Sequence, residues 1–82
     1  MNRIKVLFFA TLRDRAGTKM AEIEVPLGTT VAALKARVVQ DYPNLAAAID
    51  TAVVALNREY APEDAVLPDR AEIAFFPPVS GG

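Results

Sequence analysis

Residues 4–12 read IKVLFFATL. In an extended segment Ile4, Val6, Phe8 and Ala10 point to one side, and Lys5, Leu7, Phe9 and Thr11 point to the other. Both sides are largely apolar, which predicts a central strand covered on two faces. RDRAGTK then breaks the pattern, with turn chemistry at Gly17 and Thr18. AEIEVP alternates strictly, Ile23 and Val25 inward and Glu22 and Glu24 outward, and is expected to pair with the first strand as a hairpin with a long loop.

The period lengthens in LGTTVAALKARVVQDYP. Val31, Leu34 and Val38 recur at helical spacing, Thr29 or Thr30 can cap the start, and Pro43 ends the helix by forcing its predecessor out of the helical region. One apolar stripe needs one sheet to lie on. NLAAAIDTAVVALNREY reads as a short helical turn followed by a strand from about Ala52 to Asn57. A further short extended piece is expected at Ala65 to Leu67, fenced by Pro62 and Pro68, and AEIAFF is the last strand, stopped by Pro77 and Pro78. The fold class is therefore α+β: a mixed four- to five-stranded sheet on one main helix. The first and last strands are the most apolar, as expected of a central, adjacent pair.

Composition narrows the chemistry. The 82 residues suffice for one small domain, and a 52% hydrophobic content supports a packed core. With no cysteine, thiol catalysis and thiolate metal sites are excluded, and a reducing, cytoplasmic setting is expected. With no histidine, the commonest proton shuttle and metal ligand is missing too. Nine basic and ten acidic residues give a net charge of -1 without a long run of either sign, so no nucleic-acid partner is expected. No stretch approaches the ~18 apolar residues of a membrane span, and the opening segment lacks a cleavage pattern for export.

The carboxylates are scattered without converging spacing, so no metal site is expected. Glu63 and Asp64 read as a solvated turn. Glycines stand only at positions 17, 28, 81 and 82, which rules out a phosphate-cradling loop. Ser80 is the sole serine and has no activating base. Two features remain. The first is the sheet face away from the helix, where Leu7, Phe9 and Phe76 are expected to form an apolar partner surface with Tyr60 as an aromatic anchor. The second is the ending PPVSGG. Pro77 and Pro78 stiffen the exit, and six extended residues reach on the order of 20 Å. Gly81 and Gly82 fit a channel too narrow for side chains, and the group they carry is the Gly82 α-carboxylate.

An opening IKVLFFATLRDRAG and an ending FFPPVSGG on one domain of this length resemble the small subunit of molybdopterin synthase, a family of ubiquitin-like sulfur carriers. The likeness covers the whole chain and is specific at its two ends, while residues 32–69 agree in layout. It implies a β-grasp domain over residues 1–76 and an extended diglycine tail over 77–82. An ATP-dependent, E1-like adenylating enzyme would form a transient acyl-adenylate on Gly82, and sulfur from a sulfurtransferase would replace the AMP as a thiocarboxylate. The tail would then enter the large subunit of the synthase, expected in a heterotetramer, and donate sulfur to cyclic pyranopterin monophosphate. The large subunit would supply the catalytic side chains, and this chain would hold no permanent cofactor. Phe9, Tyr60 and Phe76 carry over as docking contacts, with Leu7 beside them, and Pro77, Pro78, Val79 and Ser80 lead into the partner.

Three other readings stay open: a thiazole-forming sulfur carrier, a ubiquitin-like modifier joined to lysines through Gly82, and an interaction module with an idle tail. The mass of the isolated protein separates them. An oxygen-to-sulfur exchange marks a carrier, a ladder of conjugates marks a modifier, and neither marks the idle tail.

Overall fold

The structure is a computed structural model that describes residues 1–78. The expected tail enters it only as Pro77 and Pro78; Val79, Ser80, Gly81 and Gly82 lie outside the described residues.

Strand β1 spans Asn2–Phe8 and buries alternate residues, Asn2, Ile4, Val6 and Phe8. It stops short of the predicted Leu12. Ala10 takes φ 54 and ψ -127, a conformation that suits glycine, and Phe9 O accepts from the amides of Leu12 at 3.1 Å and Arg13 at 3.4 Å. The chain winds at once into α1, Thr11–Ala16, closed by Gly17 at φ 77. Leu12 is buried all the same, but from a helix. A short apolar run does not by itself distinguish strand from helix. The strained residue is Ala10, at a cost of about 1–3 kcal/mol.

Strand β2, Met20–Val25, runs antiparallel to β1 with Ile4 opposite Ile23. Helix α2, Val31–Asp41, begins at Thr30, whose Oγ1 accepts from the Ala33 amide at 3.2 Å. Its Val31, Leu34 and Val38 are fully buried against the sheet, each worth about 1.5–3 kcal/mol. Lys35 shares that stripe, four residues after Val31 and three before Val38, and is only 6% exposed. Its Nζ donates to Glu63 Oε1 at 2.8 Å and to the Asp50 carbonyl at 3.4 Å. Glu63 is thus half of an ion pair and not merely a solvated turn residue.

Two 3₁₀ turns, Pro43–Leu45 and Ile49–Thr51, set Leu45 and Ile49 into the core and replace the single expected turn. Strand β3, Val53–Leu56, follows as predicted. The next strand is β4, Glu59–Tyr60, joined to β3 by Asn57 and Arg58 at φ 48 and 71. Two positive φ values in succession make the hairpin turn that matches strand twist. No strand forms at Ala65 to Leu67, where Val66 makes only an isolated bridge to Thr30. That segment instead serves the start of α2: Ala65 O accepts from the Val31 amide and Glu63 O from the Ala32 amide, both at 2.9 Å.

Strand β5, Glu72–Phe76, lies parallel to β1, Phe8 opposite Phe75, and antiparallel to β3. The order β2-β1-β5-β3-β4 puts the first and last strands together at the centre. Buried Asn2 fastens the approach to β5. Its Nδ2 donates to Pro68 O at 2.9 Å and Leu67 O at 3.5 Å, while its Oδ1 accepts from the Arg70 amide at 2.8 Å. The main helix and the turns cover one face of the sheet, and the opposite face is left bare.

Candidate functional site: the open face of the sheet

The pleat decides which side chains reach the bare face. Burying Ile4, Val6 and Phe8 turns Arg3, Lys5 and Leu7 outward, and burying Ile73 and Phe75 turns Glu72, Ala74 and Phe76 outward. The face divides across its length. Near the start of β1 it is charged: Arg3 donates to Glu24 Oε1 at 2.9 Å and lies 4.0 Å from Glu22 Oε2. The hydrogen bond to Glu24, then the two negative charges, push the Arg3 pKa up. A hollow of about 640 Å³ lies there, bordered by Arg3, Glu22, Glu24 and Arg70. Its wall is more polar than apolar, and Arg3 is already engaged by Glu22 and Glu24.

Near the end of β1 the face is apolar. A shallow groove of about 390 Å³ is lined by Leu7, Phe9, Ala74, Phe76 and Tyr60, with Arg58 and Glu72 at its margin. Phe9 and Phe76 stack, ring centroids 4.5 Å apart and planes 12° apart. The backbone aims them: Phe9 N donates to Phe75 O at 3.2 Å, prolonging the β1–β5 pairing by one bond, and the bend at Ala10 then turns the chain away. Phe9 remains 40% exposed and Tyr60 84%. Tyr60 stands opposite Ala55 on the edge strand. Leu7, Phe9, Tyr60 and Phe76, which the sequence places on one surface, therefore meet in one groove. Pro77 and Pro78 follow directly from it, half-buried and exposed respectively.

Sequence reasoning overlooked Arg58, Glu72 and Ala74. Alternation through AEIAFF carried the signal for the last two; that for Arg58 is the Asn57–Arg58 turn, visible only once β4 is known. Glu72 and Tyr60 are the oxygen-bearing side chains of the groove's lining, and among the described residues no three His, Cys, Asp or Glu side chains gather to hold a metal. Its chemistry is recognition. No helix among the described residues is long and apolar enough to cross a membrane.

A five-stranded mixed sheet wrapped on one main helix, with a bare apolar face beside the end of its last strand, is a ubiquitin-like β-grasp domain. Solved structures agree. A putative molybdopterin converting factor subunit 1 from Pyrococcus furiosus superposes with TM-score 0.88 at 29% identity, covering 96% of this chain and all of that one. SAMP1 from Haloferax volcanii gives 0.87 at 28% identity, covering 99% and 100%. The profile of the ThiS family matches residues 6–82, and the chain belongs to that family. The molybdopterin synthase sulfur carrier subunit of Chlamydomonas reinhardtii is 40% identical over 82 residues, 98% of this chain and 99% of that protein.

Proposed function

We propose that this chain is the sulfur-carrying small subunit of a molybdopterin synthase. The observation that carries the reading is the continuity of two features. β5 delivers Phe76 to the wall of the apolar groove, and the residues leading to Gly81 and Gly82 start at the next position. A partner seated on the groove receives the end of the chain from that same place. Exposed aromatic side chains around a well-packed centre are typical of residues that dominate binding energy. The name borne by the full-length Chlamydomonas relative supports the same reading.

The reactive group is the Gly82 carboxylate. Its oxygen attacks the α-phosphorus of ATP on an E1-like adenylating enzyme, and pyrophosphate departs. Sulfide-level sulfur supplied through a sulfurtransferase then attacks the acyl carbon as hydrosulfide, AMP departs, and loss of the proton leaves a thiocarboxylate. Side chains of the large subunit direct its transfer to the pyranopterin. Phe9, Tyr60 and Phe76 hold the two subunits together, with Leu7 between them. Gly81 and Gly82 pass where a β-carbon would not.

Reconstitution tests this. The thiocarboxylate form, mixed with large subunit and cyclic pyranopterin monophosphate, is expected to yield dithiolene product, and the carboxylate form none. Equal turnover by the two forms refutes the assignment. The likeness to SAMP1, a small archaeal modifier protein, favours a second reading as a protein modifier. Conjugates ending at Gly82 in sulfur-replete cells, without any oxygen-to-sulfur exchange in the free protein, would select it.

A further inference from the structure

The groove does not end at Phe9. A second shallow hollow of about 300 Å³ continues from Leu7 and Phe9 across β1 to Met20, with Lys5, Arg13 and Lys19 around it. Together the two hollows form one apolar floor, with Arg58 at one end and those three cations at the other. Glu72 is the single carboxylate among the lining residues.

Most of these cations' counterparts elsewhere are engaged, although Arg15 reaches only the Asn44 carbonyl and the Arg70 side chain has no partner among the described residues. Arg3, Lys35 and Arg37 each form an ion pair elsewhere on the molecule. Among the described residues Lys5, Arg13, Lys19 and Arg58 make neither an ion pair nor a side-chain hydrogen bond; the salt bridges present involve other side chains. The whole chain carries a net charge of -1. Four of the nine cations thus stand around the apolar floor with one carboxylate, Glu72, and the remainder of the molecule is acidic by difference.

We infer that this face is built for a partner whose apolar pocket is ringed by carboxylates, and that the cationic rim both steers that partner in and repels a second copy of this chain. The inference rests on reading the groove as the docking surface. An exposed apolar patch invites self-association. Two copies facing each other through the groove would oppose rim against rim, with only Glu72 and the Glu22 that stands opposite Lys5 to offset four cations. An acidic rim reverses the sign. Opposite potentials raise encounter rates at low salt, and the gain fades as the screening length shrinks. Rim charges act mainly on association, while the buried aromatic centre governs dissociation.

Stopped-flow mixing with the synthase large subunit, from about 0.02 to 0.5 M salt, tests this on the wild type and on Lys19→Glu/Arg58→Glu. Both substituted side chains are exposed, and circular dichroism checks the fold. The wild-type association rate is expected to fall about tenfold or more across the range. The double reversal is expected to lose at least about tenfold at low salt and to flatten the dependence, with dissociation changed less than about twofold. Sedimentation at low salt is expected to show wild-type monomer. A salt-insensitive wild-type association rate, an unchanged rate for the reversal, or a low-salt homodimer each overturns the rim while leaving the docking reading in place. Absence of any complex at every salt concentration overturns the docking reading and the rim with it.

Discussion

Phe76→Ala separates docking from folding. The Phe76 ring is half-buried and stacks on Phe9 at 4.5 Å on the face opposite the core. Folding therefore loses the aromatic pairing, about 0.5–1.5 kcal/mol, and a fraction of the about 3–5 kcal/mol that truncating a fully buried phenylalanine costs. A total near 2 kcal/mol is small against the roughly 4–12 kcal/mol expected for 82 residues. The variant stays folded. In the proposed complex the same ring lines the docking groove, where truncation of an aromatic anchor is expected to cost at least about 2 kcal/mol, roughly 30-fold in Kd. Phe75→Ala is the contrasting case: its ring is 0% exposed on the core side, so it bears the full core penalty and lowers stability far more. Urea unfolding followed by circular dichroism measures the first quantity, and calorimetric titration of the large subunit measures the second. If Phe76→Ala bound as tightly as wild type, or if it unfolded while Phe75→Ala did not, the assignment of faces would be wrong.

Deleting Gly81 and Gly82 is expected to abolish sulfur donation while leaving the urea midpoint and large-subunit binding near wild type; lost folding in that variant contradicts the reading. Asn2→Asp keeps the acceptor for the Arg70 amide but turns the Nδ2 donor into an oxygen facing the carbonyls of Pro68 and Leu67. A loss of about 2–4 kcal/mol is expected from urea midpoints, and an unchanged midpoint rules the clamp out. Lys35→Met retains the packed stem and frees a Glu63 side chain that is already 58% exposed, so it is expected within about 1 kcal/mol of wild type, with Lys35→Ala clearly worse. Equal losses in the two variants would show that the charge, not the stem, matters. Ala10→Gly is expected to raise stability by about 1 kcal/mol, against the usual direction for glycine, because φ 54 with ψ -127 suits a residue without a β-carbon. A lowered midpoint denies the strain.

The central pair of strands, the capped helix and the bare aromatic face were legible because each rests on periodicity. Ile4, Val6 and Phe8 alternate, and so do Ile73 and Phe75, while Val31, Leu34 and Val38 recur at helical spacing. What escaped depends on single residues acting against local preference. Ala10 breaks an apolar run that reads as strand through Leu12, and no property of alanine announces a positive φ. Asn57 and Arg58 form a tight hairpin turn without glycine, which hid β4 and moved the expected strand to residues 65–67. Lys35 sits on the apolar stripe, but its partner Glu63 lies 28 positions away, beyond any local pattern. The groove was half visible: the hydrophobic members follow from alternation, whereas Arg58 and Lys19 reach its margin only through the tertiary arrangement of β4 and β2.

The parallel pairing of β1 with β5 joins residues from the two extremes of the chain across the middle of the sheet. Such distant partners make closure of the domain wait for the last strand to be synthesised. A product interrupted before Phe76 has no central ladder to complete and stays exposed to proteolysis. Molecules that survive to meet a partner have accordingly been translated at least as far as Phe76, so that integrity of the globule vouches for the aromatic pair on its open face.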